Sequence, residues 1–247
     1  PANAAWVVGY HREPILGHPM VPGVALHAVY HRMAENGFAV IAYDQCGFGL
    51  RLQEGSVFYE RHQRWSRLGR MVMDARDAVS FAVEGEGATS GGIPELDRDR
   101  VILLGYSTGA LTAMYTGAVD DRVAGVACFS GWTPLRDAAK ATVTGGNRRL
   151  WELHALLPRL GWFDGREGDI PFDYHDVLGQ VLPKPCLIVT PKRDRFADHT
   201  AVANTMNAVR LAKQEQAKAL TWLSPDCPNL FQADQHQQFI NWTKSLR

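Results

Sequence analysis

Gly105-Tyr106-Ser107-Thr108-Gly109 forms a G-x-S-x-G pentapeptide directly behind the apolar run Val101-Ile102-Leu103-Leu104 and directly ahead of Ala110-Leu111-Thr112-Ala113-Met114. Strand, sharp turn, helix is the context that makes this pattern a nucleophile elbow. The serine sits on a strained turn, its hydroxyl projects above the sheet, and the flanking glycines leave room for the backbone. A serine hydroxyl is a poor nucleophile near neutral pH. It needs a base within hydrogen-bond reach, and the base needs an orienting acid. The spacing therefore points to attack by Ser107 with proton transfer to an imidazole. A glycine-rich turn with an incidental serine is the plainer alternative.

In an elbow-type site the chain order runs nucleophile, acid, base. Asp194 is the candidate acid: it follows the apolar run Cys186-Leu187-Ile188-Val189-Thr190, which is entered through Pro185, in the loop Pro191-Lys192-Arg193-Asp194. A surface aspartate paired with Lys192 or Arg195 would look the same. Asp198 is the fallback and would equally cap a helix beginning near Thr200. Only His199 and His236 follow Asp194. His199 is too close to the acid and suits a helix start, which leaves His236 as the base, beyond the last strand and the loop 224–233. Its setting, Asp234-Gln235-His236-Gln237-Gln238, is a polar helix-like run with no glycine before it, and an exposed helix histidine fits that run too. An oxyanion would be met by the Thr108 N–H and by a second N–H from the loop after the first strand, at Tyr10 or His11.

Positioning these groups requires a sheet. Short continuous apolar runs at 5–10, 39–43, 101–106, 123–129, 186–190 and 220–223 predict strands covered on both faces, as in a parallel sheet. Helical patterns alternate with them at 24–36, 65–83, 201–217 and 235–246. Helix 65–83 carries Leu68, Met71, Val72, Ala75, Ala78, Val79 and Ala82 at helical spacing. Right-handed crossovers then give an α/β, doubly wound, mostly parallel sheet. Residues 85–99, rich in glycine and charge, read as an exposed loop. Residues 132–183 are too long for a simple crossover and read as a helical, cap-like insertion after the strand ending near Phe129, with helices at 148–157 and 174–182. It would lie over the carboxyl ends of the strands, where open α/β sheets bind ligands. Trp132, Trp151, Trp162 and Phe172 are its candidate pocket residues, favouring a modest apolar or aromatic group; for all but Trp132, a small satellite core is an equal alternative.

A chain of 247 residues with 46% hydrophobic content can bury one sizeable core, and residues 1–247 read as a single domain. Formal charge is +0 with no long run of one sign, so nothing points to nucleic acid or a membrane surface. No apolar stretch approaches 18 residues. Dinucleotide and P-loop fingerprints and clustered His/Cys metal motifs are absent, so neither cofactor nor metal is expected. Cys46, Cys128, Cys186 and Cys227 are scattered and read as free thiols. The redox compartment stays open: a cytoplasmic setting is slightly favoured, and a trimmed secreted form is the alternative. Oligomeric state is not legible.

These residues carry a family resemblance over nearly the whole chain. The elbow, the acid nine residues after Pro185, and the strand-end loop Tyr43-Asp44-Gln45-Cys46-Gly47-Phe48-Gly49 resemble the α/β-hydrolases, in particular their dienelactone-hydrolase-like and acetyl-xylan-esterase-like branch. Ser107 replaces the cysteine of dienelactone hydrolases, Thr108 the glutamine usual in acetyl xylan esterases, and Gly9-Tyr10-His11 the usual His-Gly. The resemblance implies a serine hydrolase cleaving a carboxylic ester through an acyl-enzyme, with Ser107, His236 and Asp194 as nucleophile, base and acid. A peptidase or amidase of the same superfamily, or an inactive binding protein on the same fold, are the alternatives.

Overall fold

The computed structural model describes residues 2–9, 27–84, 96–137 and 147–246. Six strands, β1 (Ala2–Gly9), β2 (Phe38–Ala42), β3 (Leu96–Tyr106), β4 (Gly125–Phe129), β5 (Cys186–Val189) and β6 (Leu220–Leu223), form one sheet in the order β2-β1-β3-β4-β5-β6. Every pairing is parallel. The chain steps from β1 out to β2, returns to the other side of β1 as β3, and then walks outward to β6. The reversal between β1 and β3 is the switch point of a doubly wound sheet, beside which a ligand crevice opens at the strands' carboxyl ends.

Helices cover both faces, which is why the strands read as unbroken apolar runs. β4 and β5 are buried at every residue. On one face α1 (His27–Glu35) and α8 (Ala233–Ser245) pack Val29, Met33, Phe239 and Ile240 against Ile102, Leu104, Phe129 and Leu187. On the other, α4 (Arg67–Glu84), α5 (Thr108–Val119), α6 (Tyr174–Val181) and α7 (His199–Lys213) pack Leu68, Leu111, Val177 and Met206 against Leu103, Cys128 and Ile188. Between β2 and α4 lie two short helices, α2 (Leu52–Ser56) and α3 (Phe58–Arg61), too brief for a periodic apolar stripe to show in sequence.

Two expectations are corrected. The exposed loop expected over 85–99 gives way at Leu96, where β3 begins; its polar start, Asp97-Arg98-Asp99-Arg100, hides a strand whose apolar half alone is buried. The helix expected at 148–157 is one π-helical turn, Arg149–Leu153. The Leu150 carbonyl accepts from both Leu156 N (2.6 Å) and Leu157 N (2.9 Å). Ala155 at φ +45° turns the chain back on itself, and Pro158 opens a 3₁₀ segment to Phe163.

The segment between β4 and β5 is tied at both ends by one buried carboxylate. Asp173 caps α6 through Tyr174 N (2.7 Å) and accepts from Leu135 N (2.9 Å) and Arg136 N (3.0 Å). The start of the segment is thereby held against its end.

Candidate active site

Ser107 has φ +56° and ψ −121°, a backbone conformation that L-residues rarely adopt. Its N–H donates to Phe129 O (2.9 Å), and its carbonyl accepts from Ala110 N (2.9 Å), so β4 and α5 hold the turn from both sides. Two glycines make the close approach possible. A Cβ on Gly105 would stand 2.1 Å from Gly109 O, and one on Gly131, itself at φ +97°, would stand 2.1 Å from Ser107 O. Holding a non-glycine residue in such a conformation costs roughly 1–3 kcal/mol, and sites that keep such strain tend to be functional. Thr108 is the first residue of α5. Its N–H is one of the four at a helix start without an intrahelical acceptor, at the electropositive end of the helix. Tyr10 and His11, expected to add the second oxyanion donor, lie outside the described residues.

Ser107 and Thr108 line a cavity of about 20 Å³, walled further by Trp132, Asn147, Arg149 and His154. That is room for about one water. Beside the apolar Leu111, Leu150, Leu156 and Phe196, the described lining carries Asn147 and Arg149 together with the serine and threonine. The Arg149 guanidinium lies 3.8 Å from the centre of the Phe196 ring. Trp132 reaches the cavity as expected from its position after β4, but it is also a core residue, 4% exposed and packed 4.9 Å from the Tyr174 ring. Trp151 and Phe172 line a separate cavity of about 600 Å³, together with Tyr59 and Trp65. Trp162 is 70% exposed.

Asp194 lies next to Phe196, which lines the cavity, and His236 lies against Phe231; neither is among the described lining residues. The loops after β5 and β6 run side by side: Lys192 N donates to Pro225 O, Arg193 N to Cys227 O, and Arg193 bridges to Pro228. That alignment sets Asn229 beside Asp194. The Asp194 carboxylate is buried, accepts from Phe196 N (2.9 Å), and has the Asn229 side chain beside it. Burial raises its pKa; the Phe196 N–H, then the Asn229 side chain, Arg149 and Arg195, oppose the rise. Asp198 caps α7 through Thr200 N (2.9 Å) and Ala201 N (3.1 Å).

His236 is the fourth residue of α8 because a capping box at Gln232 and Gln235 starts the helix at Ala233. Its side chain points into the layer shared with α1, and Phe231 packs edge-on against its ring at 4.7 Å. Phe231 also stacks on Tyr106 and tilts against Phe129. Neither ring nitrogen of His236 has a hydrogen-bond partner among the described residues. Burial, then the positive charge of Arg32, pushes its pKa down to about 4, while the nearby Phe231 carbonyl pulls the other way without meeting hydrogen-bond geometry. It is not among the residues lining the Ser107 cavity. Asn229 was not singled out from the sequence, since its place beside Asp194 follows from the pairing of two loops. Asn147, Arg149 and His154 were also missed, because they enter through an irregular segment with no periodic signal.

The strained serine at the head of α5 agrees with what known proteins resemble this chain. The family described as "Serine aminopeptidase, S33" matches residues 23–181, well over half of the chain. The chain belongs to this family of α/β-hydrolases. The match spans the elbow and stops before Asp194 and His236. No curated protein matches. Among solved structures, a glucuronoyl esterase from Solibacter usitatus superposes with a TM-score of 0.70 at 15% identity, covering 99% of this chain and 74% of its own. One from Teredinibacter turnerae gives 0.67 at 14%, covering 100% and 67%. An esterase from Pyrococcus furiosus gives 0.63 at 14%, covering 98% and 82%. At these identities the likeness establishes the α/β-hydrolase fold. Among the described residues no helix is long and apolar enough to cross a membrane, and no group of three His, Cys, Asp or Glu side chains could hold a metal ion.

Proposed function

We propose that this S33-family α/β-hydrolase is a serine-dependent carboxylic ester hydrolase working through an acyl-enzyme on Ser107. The observation that carries the reading is the strained serine at the mouth of α5, opening into the cavity it shares with Thr108. In this reading Ser107 Oγ attacks the ester carbonyl and the Thr108 N–H meets the oxyanion. Water then releases the acid. The segment over 132–183 acts as a cap within one domain.

The family's description favours peptide bonds, while the glucuronoyl esterases and esterase among similar folds favour esters. The ester reading takes its support from the esterases among similar folds, and rates on matched ester and amide substrates decide between the two bonds. An inactive binding protein is the second reading, favoured by one observation: Asn229 stands beside Asp194, where a triad would need an imidazole. A serine-directed fluorophosphonate separates the two. A hydrolase is labelled at Ser107, and Ser107→Ala abolishes both labelling and ester turnover. Loss of the nucleophile from a serine-hydrolase triad lowers the rate on the order of 10⁶-fold. An unlabelled parent that turns over neither matched esters nor matched amides overturns the reading.

A further inference from the structure

The cavity of about 600 Å³ lies between the chain over 59–66 and the segment between β4 and β5. It shares a wall with the cavity at Ser107. His154 and Leu156 line the small cavity, while their neighbours Ala155 and Leu157 line the large one. The wall is held in place from α3 and α4. The Tyr59 hydroxyl donates to Ala155 O (2.5 Å) and accepts from Arg67 N (3.0 Å), and Leu156 O accepts from Leu68 N (3.1 Å). Gly161 lies close against Trp151, where a Cβ would stand 3.0 Å from the ring. The large cavity is thus preformed, as small-molecule sites usually are, and its volume falls in their usual range.

Its lining combines two chemistries. Tyr59, Trp65, Trp151, Phe163 and Phe172 supply an aromatic wall. Trp65 is 50% exposed, and a half-exposed indole at a concave site suits a partner that stacks on it. Arg64 and Arg159 bring two guanidinium groups to the same cavity. Neither is in an ion pair with a described residue, and Arg159 meets only the Trp162 ring, at 5.8 Å. A guanidinium stays charged at any ordinary pH, and its planar fork matches a carboxylate.

We propose that this cavity is a binding site for a small aryl carboxylate, its ring on the aromatic wall and its charge met by Arg64 and Arg159. A straight-chain carboxylate would meet the cations but leave unused the ring faces, which gain from offset or edge-on packing with another ring. An uncharged arene would leave both cations without a counter-charge. The site includes neither Ser107 nor Thr108 in its described lining, so it stands apart from the ester-hydrolase reading.

The test is titration calorimetry of the full chain with 2-naphthoate, 2-naphthamide and decanoate. It is repeated on Trp65→Ala, Phe172→Ala, Arg61→Gln and the double variant Arg64→Gln/Arg159→Gln, with thermal melts for each. The expected result is saturable one-to-one binding of 2-naphthoate that weakens as salt rises, while binding of the uncharged amide does not respond to salt. Removing the charge from either side, in the amide or in the double variant, should weaken binding about tenfold or more. Trp65→Ala should weaken it about threefold or more, with Phe172→Ala as the second probe of the wall. Arg61→Gln, which removes an exposed cation outside the described lining, should leave binding unchanged. Both arginines are exposed, so the double variant is expected to fold. Absence of saturable binding at millimolar 2-naphthoate overturns the proposal. Equal binding of the amide, tighter binding of decanoate, or parent-like affinity in a folded double variant also overturns it. No turnover is measured, so each of these outcomes leaves the ester-hydrolase reading where it stands.

Discussion

Replacing His236 with leucine should make the fold less sensitive to acid. The imidazole is buried, lacks hydrogen-bond partners among the described residues, and has its pKa pushed down to about 4. In the unfolded chain it titrates near 6.5. Above about pH 7 the ring is neutral in both states and the proton has no effect on stability. As pH falls through about 6.5 the unfolded chain binds a proton that the folded one refuses until about 4, so folding stability drops across that window and the loss is complete below it. A gap of roughly 2.5 units at 1.36 kcal/mol each gives a loss of about 3 kcal/mol, with a slope of at most about 1.4 kcal/mol per pH unit. His236→Leu keeps the volume and removes both nitrogens. It should be at least as stable as the parent near pH 8, because replacing unpaired buried polar atoms by apolar ones is neutral to favourable. The assay is urea denaturation of parent and variant at several pH values between about 8 and 4. Subtracting the two curves removes contributions common to both, such as the depressed His154 and the raised Asp194. A difference that stays flat from pH 7 to 4 refutes the picture of a buried neutral imidazole, and with it the placement of His236 behind Phe231.

Three further outcomes test the positioning of the site. Gly131→Ala puts a methyl group within 2.1 Å of Ser107 O at φ +97°, and should destabilise the fold by about 3 kcal/mol or more and abolish Ser107 labelling, read by melts and fluorophosphonate. Asp173→Ala strips acceptors from Leu135 N, Arg136 N and Tyr174 N, and should cost about 3 kcal/mol in denaturant while raising limited proteolysis between β4 and β5. Trp132→Ala should cost about 3–5 kcal/mol as a buried large-to-small change, so a change in ester preference without a fall in melting temperature would show that it lies outside the core.

Much of the architecture was legible because it follows from local pattern. Apolar runs too short for helices, with no alternation, can only be strands covered on both sides, and all six fall in the parallel sheet. Gly-x-Ser-x-Gly behind one of them fixes a positive-φ serine at a helix start, since the glycines are required by backbone contacts within a few residues and by the adjacent strand end. Asp198 as a helix cap was equally local. Residues whose roles depend on distant partners were not legible. Asp194 and Asn229 meet because two loops leaving neighbouring strands run in parallel, a contact between distant positions that no spacing rule encodes. His236 turns inward because the Gln232–Gln235 capping box starts α8 three residues before it, and a one-residue change in that start would rotate the side chain by about 100°. His154 and Arg149 line the serine's cavity from an irregular turn set by the Leu150 carbonyl and by Ala155 at φ +45°. Chain order named the kind of chemistry and a candidate nucleophile; which side chains share that serine's cavity was decided by how the segment between β4 and β5 folds back over the sheet.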